Sequence, residues 1–161
     1  MKAVYQRVTH ARVTVEGEIG HVGDASKDDG LVTDMYTTPE EAYEFVNATG
    51  VDALAVSIGT AHGVYKTKAK LDLNRLAEIR AKIDTPLVLH GGSGLTDDDF
   101  RNTIAGGIAK INIFTDLCLA GERAMKEHCG SGYLNVRNKK VEAIKAAVME
   151  KISLFGCAGK A

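Results

Sequence analysis

The apolar residues of this chain change rhythm along its length. Short runs rich in valine, isoleucine and leucine, at 12–19, 53–59, 86–90 and 109–114, read as strands. The last three lack clean alternation, as parallel strands covered on both faces do. Between them the apolar positions recur at helical spacing. Thr38-Pro39-Glu40-Glu41 has the form of a capping box with proline at the first helical position, and Gly50 suits the left-handed end of that helix. A second helix is predicted from Asp72, with Leu73, Leu76, Ile79 and Ile83 on one face, a third near residues 96–99, and a fourth after Asp116. The last is expected over 139–155, carried by Val141, Ile144, Val148, Ile152 and Phe155, with Gly156 as its stop.

Strand and helix alternate, which predicts an α/β fold with a parallel sheet and right-handed crossovers. An open doubly wound sheet and part of a (β/α)8 barrel both satisfy this order. Four strands fall short of a whole barrel, which needs eight and about 250 residues. Val4, Tyr5, Val8 and Ala11 form an apolar helical face that begins almost at Met1 without a capping residue. The expectation is therefore a single domain, 1–161, that starts inside a helix as a truncated barrel would.

Composition narrows the function. Twenty basic residues stand against 21 acidic ones, for a net charge of −1, so a nucleic-acid partner is not expected. No apolar run approaches the roughly 20 residues that span a bilayer, and the first residues lack a signal peptide's apolar core. Cys118, Cys129 and Cys157 form no metal motif, and reduced thiols in a cytoplasmic protein are the expectation.

In parallel α/β folds ligands bind beyond the carboxyl ends of the strands. Three such ends are polar here: Ser57-Ile58-Gly59-Thr60-Ala61-His62-Gly63, His90-Gly91-Gly92-Ser93-Gly94 and Asn112-Ile113-Phe114-Thr115-Asp116. His62 and His90 close neighbouring strands, and imidazole is a favoured zinc donor. One histidine at a strand end is more often held by a hydrogen bond than by a metal; two at equivalent ends strengthen the metal reading. No third donor is obvious. The glycines around Ser93 free backbone N–H groups to face an anion, helped by the helix dipole near Thr96. Barrel enzymes often bind phosphate on the loops after their last two strands, which here would be 91–94 and 112–115. Glu16 and Glu18 share one strand face, either toward a cation or toward water at a sheet edge. Lys66, Lys68 and Lys70 read as a solvated loop, and His10, His21 and His128 as ordinary residues.

The stretches VEGEIGHVG (15–23), SIGTAHGVYK (57–66), LVLHGGSG (87–94) and INIFTD (111–116), with the closing LFGCAGKA, resemble the class II, zinc-dependent fructose/tagatose-bisphosphate aldolases. The resemblance covers essentially the whole chain but only the second half of the family's barrel, about its last four βα units. It implies a zinc cofactor, with His62 and His90 as two of three metal ligands and Glu18 as a carboxylate that holds the metal in an alternate position. It implies glycerone phosphate contacts from Gly63, Gly91, Gly92, Ser93, Asn112, Ile113, Phe114 and Thr115. The implied reaction is reversible cleavage of a phosphorylated ketose to glycerone phosphate and glyceraldehyde 3-phosphate. The family's catalytic aspartate sits beside its first zinc histidine, and no Asp-His pair occurs in this sequence. The chain by itself is thus expected to be incomplete, pairing with a missing amino-terminal half or as a homo-oligomer. The alternative is a half-barrel that binds sugar phosphate without cleaving it; a flavodoxin-like nucleotide binder is a more distant third.

Overall fold

The core is built outward from one strand whose residues have no exposed surface. In the computed structural model, which describes residues 13–21, 23–24, 36–63 and 69–160, Leu87, Val88 and Leu89 are all fully buried. Their strand, β5, lies inside a parallel sheet. In chain order the elements are β1 (Glu16–Ile19), β2 (Gly23–Asp24), α1 (Pro39–Thr49), β3 (Ala53–Val56), β4 (Ala61–His62), α2 (Leu73–Lys82), β5 (Leu87–Leu89), α3 (Asp97–Ala105), β6 (Ile108–Ile111), α4 (Thr115–Glu127) and α5 (Tyr133–Leu154). The main sheet runs β1-β3-β5-β6, all parallel, and β2 pairs with β4 in a separate parallel ribbon. The predicted α/β order is thus observed. The apolar face of residues 4–11 lies outside the described residues, as do Lys66 and Lys68.

Local sequence explains most boundaries. Thr38 and Glu41 form the expected reciprocal cap on α1, and Gly50 ends it at φ 72°. Asp72 caps α2, and Thr96 with Asp99 caps α3. Leu76 and Ile79 of α2 and Phe100 of α3 are fully buried with the strands, so these helices are held by their apolar stripes. Other boundaries differ from the sequence reading: β3 ends at Val56 rather than near residue 59, and β6 at Ile111 rather than near residue 114. Strand β1 begins at Glu16 rather than near residue 12. Helix α5 begins at Tyr133, six residues before the expected start at 139, because its start is set by a glycine turn: Gly130 and Gly132 both have φ 88°.

The described chain divides into two compact units between Asn112 and Ile113. The first holds the sheets and α1–α3. The second holds α4 and α5 as a helical hairpin, in which Gly121 of α4 brings Ile144 and Lys140 of α5 close to its backbone. No helix of the described residues is long and apolar enough to cross a membrane.

The ends of β1 and β3 are clasped by a buried threonine. Thr37 Oγ1 donates to the Ile19 carbonyl at 3.0 Å and accepts from the Ser57 amide at 2.9 Å. Its own amide donates to the Ser57 carbonyl at 2.9 Å. Gly20 lies so close that a Cβ there would stand 2.6 Å from Thr37 Oγ1. Thr37→Val keeps the shape but strands a buried amide and a carbonyl. It should cost about 1–3 kcal/mol, read as a lower urea midpoint with an unchanged slope; a midpoint within error of wild type would show that the clasp is idle.

Candidate functional site

Register across the sheet decides which polar side chains meet. Glu18 pairs with Ala55, Ala55 with Val88, and Val88 with Lys110, so these four form one row on one sheet face. Glu16, two residues before Glu18, and His90, two after Val88, share that face by alternation. The β5–β6 pairing slips between Leu87 and Val88: Leu87 pairs with Ile108, but Val88 with Lys110. That bulge leaves Ala109 without an opposite number and turns Lys110 onto the face of the glutamates.

Between β1 and β5 lies β3, whose residues opposite Glu16 and Glu18 are Ala53 and Ala55. Two methyl groups leave room for long carboxylate arms to reach across two strand spacings, roughly 10 Å. The reach is made. His90 Nε2 lies 2.9 Å from Glu16 Oε1, and its Nδ1 lies 3.3 Å from Glu18 Oε1. The other oxygen of Glu16 takes a 2.8 Å hydrogen bond from Lys110 Nζ. Burial works to raise the Glu16 carboxyl pKa, but hydrogen bonds and charge from Lys110 and His90 outweigh it and hold the group below its ordinary value. The glutamate pair thus meets Lys110 and His90 while staying partly exposed on the outermost strand β1.

The second histidine stands beside the first. His62, in β4, has its ring centroid 6.3 Å from that of His90, with the planes tilted by 48°. Zinc bonds of about 2.0–2.1 Å in tetrahedral geometry separate two donor atoms by roughly 3.3 Å and two imidazole centroids by roughly 5.2 Å. The Nδ1–Oε1 separation of His90 and Glu18 is 3.3 Å, as two donors on one ion would stand. The histidine rings are slightly farther apart than a shared ion would bring them. Among the described residues no three histidine, cysteine, aspartate or glutamate side chains are gathered into a metal cage. The structure brings Glu18 to His90 and sets the ring of His62 beside that of His90, without gathering the three around one point.

The glycine loop lies against the histidine loop. Gly91 has φ 66°, and a Cβ on it would meet the Ala61 carbonyl oxygen at 2.6 Å and its carbon at 2.8 Å. The loop also joins the end of β6: the Gly92 amide donates to the Asn112 carbonyl at 3.3 Å, and the Asn112 amide to the Leu89 carbonyl at 3.0 Å. Gly91, Gly92, Ser93 and Asn112 are therefore brought together, with Ser93 only 6% exposed. Gly63, at φ 98°, directly follows His62. Ile113, Phe114 and Thr115 belong to the second unit and open α4.

The dipole of α3, expected to help hold an anion, is already answered. Asp97, Asp98 and Asp99 occupy its first turn, and the Asp99 carboxylate accepts from both the amide and the hydroxyl of Thr96. Helix α4 differs: its N-cap residue Phe114 makes no side-chain capping bond. Lys110 is the residue the sequence reading missed. Nothing local to AKIN marks a bulge, whereas Glu16 was detectable from its two-residue spacing with Glu18.

Known proteins resemble the chain over almost its whole length. The family described as fructose-bisphosphate aldolase class-II matches residues 1–160. The chain is 44% identical over 150 residues to YdjI of Escherichia coli K12, covering 92% of this chain and 54% of that protein. The crystal structure of the YdjI aldolase superposes with a TM-score of 0.86 at 39% identity, over 99% of this chain and 56% of that one. Fructose-bisphosphate aldolase (Fba) of Campylobacter jejuni shares the fold, with a TM-score of 0.73 at 23% identity over 97% and 55% of the two chains. The chain spans about half the length of the relatives it matches.

The contact between the two loops gives a test. Gly91→Ala adds a left-handed strain and a backbone collision, so it should lower the melting temperature more than Gly130→Ala. At Gly130, φ is 88° but nothing lies within 4 Å of the added Cβ. Equal losses in thermal denaturation would mean that the Gly91–Ala61 approach is not tight.

Proposed function

Since this chain belongs to the class II fructose-bisphosphate aldolase family, we propose that it is the carboxy-terminal half of a zinc-dependent ketose-bisphosphate aldolase, the last four βα units of a (β/α)8 barrel. The substrate is fructose or tagatose 1,6-bisphosphate, split reversibly into glycerone phosphate and glyceraldehyde 3-phosphate in the cytoplasm. The observation that carries this reading is the ring of His62 beside that of His90, with Glu18 Oε1 3.3 Å from His90 Nδ1. Three exposed, unbridged cysteines accord with a reducing compartment.

His62 and His90 would hold the zinc, with Glu18 as its alternate carboxylate. Bound there, zinc supplies Lewis acidity toward the ketose carbonyl. The chain's own residues do the rest of what this half contributes. Gly63, Gly91, Gly92 and Ser93, with Asn112, Ile113, Phe114 and Thr115, are the residues that would contact the phosphate of the glycerone phosphate end. Fixing the phosphate orients the ketose, so that the C3–C4 bond to be broken lies beside its polarised carbonyl. The proton taken from the C4 hydroxyl needs a positioned acid–base group. This sequence has no Asp-His pair to provide the family's aspartate, and we assign that group and the third zinc ligand to the other half of the barrel.

The test is complementation. The chain is assayed for zinc content and for cleavage of both bisphosphates, alone and co-expressed with the first half of an aldolase of this family. The pair should bind about one zinc and release glycerone phosphate in a reaction abolished by a chelator. The chain alone should be at least 100-fold slower, the usual least contribution of a general acid–base group. A complemented pair that binds no zinc, or whose zinc and turnover survive His62→Ala with His90→Ala, would reject the reading.

A half-barrel also has two bare edges. In the described sheet β1 and β6 are outermost, and each pairs on one side only. Unpaired edges template association, so the isolated chain should sediment as a dimer or larger; a monomer at micromolar concentration would count against the half-barrel.

A further inference from the structure

The two nitrogens of His90 are treated differently. Nε2 meets Glu16 Oε1 at 2.9 Å in hydrogen-bond geometry. Nδ1 stands 3.3 Å from Glu18 Oε1, beyond the usual N–H···O range of about 2.7–3.2 Å. A neutral imidazole donates from one nitrogen and keeps a lone pair on the other. A proton on Nε2 completes the short bond; a proton on Nδ1 would leave the Nε2 lone pair facing a carboxylate.

Glu16 is itself held. Its second oxygen is fixed by Lys110 at 2.8 Å, so the carboxylate spans two partners. Lys110 reaches it because the β5–β6 bulge sets Lys110 opposite Val88, in the row of Glu18. Glu18 has no such anchor from Lys110 and is the more exposed of the two glutamates, at 45% against 29%. One carboxylate is thus fixed and the other is available. Histidines that bind metals commonly donate their second N–H to a carboxylate, which sets the tautomer and the ring's aim.

We propose that Glu16, clamped by Lys110, is a positioning residue that keeps His90 as its Nε2–H tautomer and presents the Nδ1 lone pair, on the Glu18 side, as the metal-binding atom. The identity of the ion rests on the aldolase reading above; the ring orientation does not. Glu16 and Glu18, two residues apart on one strand, therefore have separate tasks. The first orients the imidazole and the second shares the ion.

The experiment reads the tautomer directly. Metal-free chain labelled with ¹⁵N-histidine is examined by long-range proton–nitrogen correlation at a pH where the ring is neutral. Wild type should show a protonated Nε2 and an unprotonated Nδ1 at His90. Glu16→Ala should give a mixture of tautomers, Glu16→Gln should largely restore the wild-type pattern, and Lys110→Met should shift it in the same direction as Glu16→Ala but less. Zinc affinity by chelator competition, on the complemented pair, should fall roughly 10–100-fold in Glu16→Ala. A wild-type ring protonated on Nδ1, one carrying protons on both nitrogens throughout, or a pattern unchanged in a folded Glu16→Ala would overturn the proposal. If Glu16→Ala fails to fold, Lys110→Met, at a half-exposed position, decides by the same criterion. Absent zinc with the expected tautomers would sink the zinc reading and leave the positioning role standing.

Discussion

The site depends on the burial of β5. Leu87, Val88 and Leu89 have no exposed surface, and the apolar run stops abruptly at His90. Removing those three side chains from water stabilises the fold by several kcal/mol, at roughly 1.5–3 kcal/mol for each large aliphatic side chain. That fixes where β5 lies, and with it the height of His90 and of the glycine loop. The neighbouring strands are registered against this one. Ala55 pairs with Val88 and Lys110 with Val88, so the polar groups of β1 and β6 arrive beside His90 because the apolar strand between them cannot slide.

Small residues let the polar groups use that register. Ala53 and Ala55 on β3 open the path from Glu16 and Glu18 to His90, and Gly91 lets the next loop lie on the Ala61 backbone. Larger side chains at these points would separate the carboxylates from the imidazole without unmaking a strand. The same sheet thus combines a dry face of large aliphatics with a polar face built around alanine and glycine.

Much of this was legible in the sequence, for identifiable reasons. The cap of Thr38 with Glu41 and the stop at Gly50 are written within a single turn, so they could be read without tertiary knowledge. The unalternating run before His90 marked a fully buried strand, and period-two spacing put Glu16 and Glu18 on one face. What was not legible depends on pairing between distant segments. The bulge that turns Lys110 inward is a property of β5 and β6 together, and strict alternation within β6 alone would have set Lys110 with Ile108. Thr37 resembles any loop threonine until its hydroxyl is seen between Ile19 and Ser57. The early start of α5 followed from a glycine turn rather than an apolar stripe, so a reading guided by apolar spacing began the helix late.

The charges around His90 do not balance by themselves, and this bears on why two glutamates stand there. Lys110 accounts for Glu16, and the 2.8 Å bond between them makes that pair locally neutral. Glu18 is left as a carboxylate 3.3 Å from an imidazole that can donate only one proton while neutral. If that proton goes to Glu16, Glu18 faces a lone pair, an arrangement that repels unless a positive charge lies between the two. An extra proton on His90 would supply it, and so would a cation. Only the cation also employs His62, whose ring lies beside that of His90. Removing Glu18 would ease the repulsion, so the sheet itself gives no reason for a carboxylate there, whereas the aldolase reading proposed above gives it one.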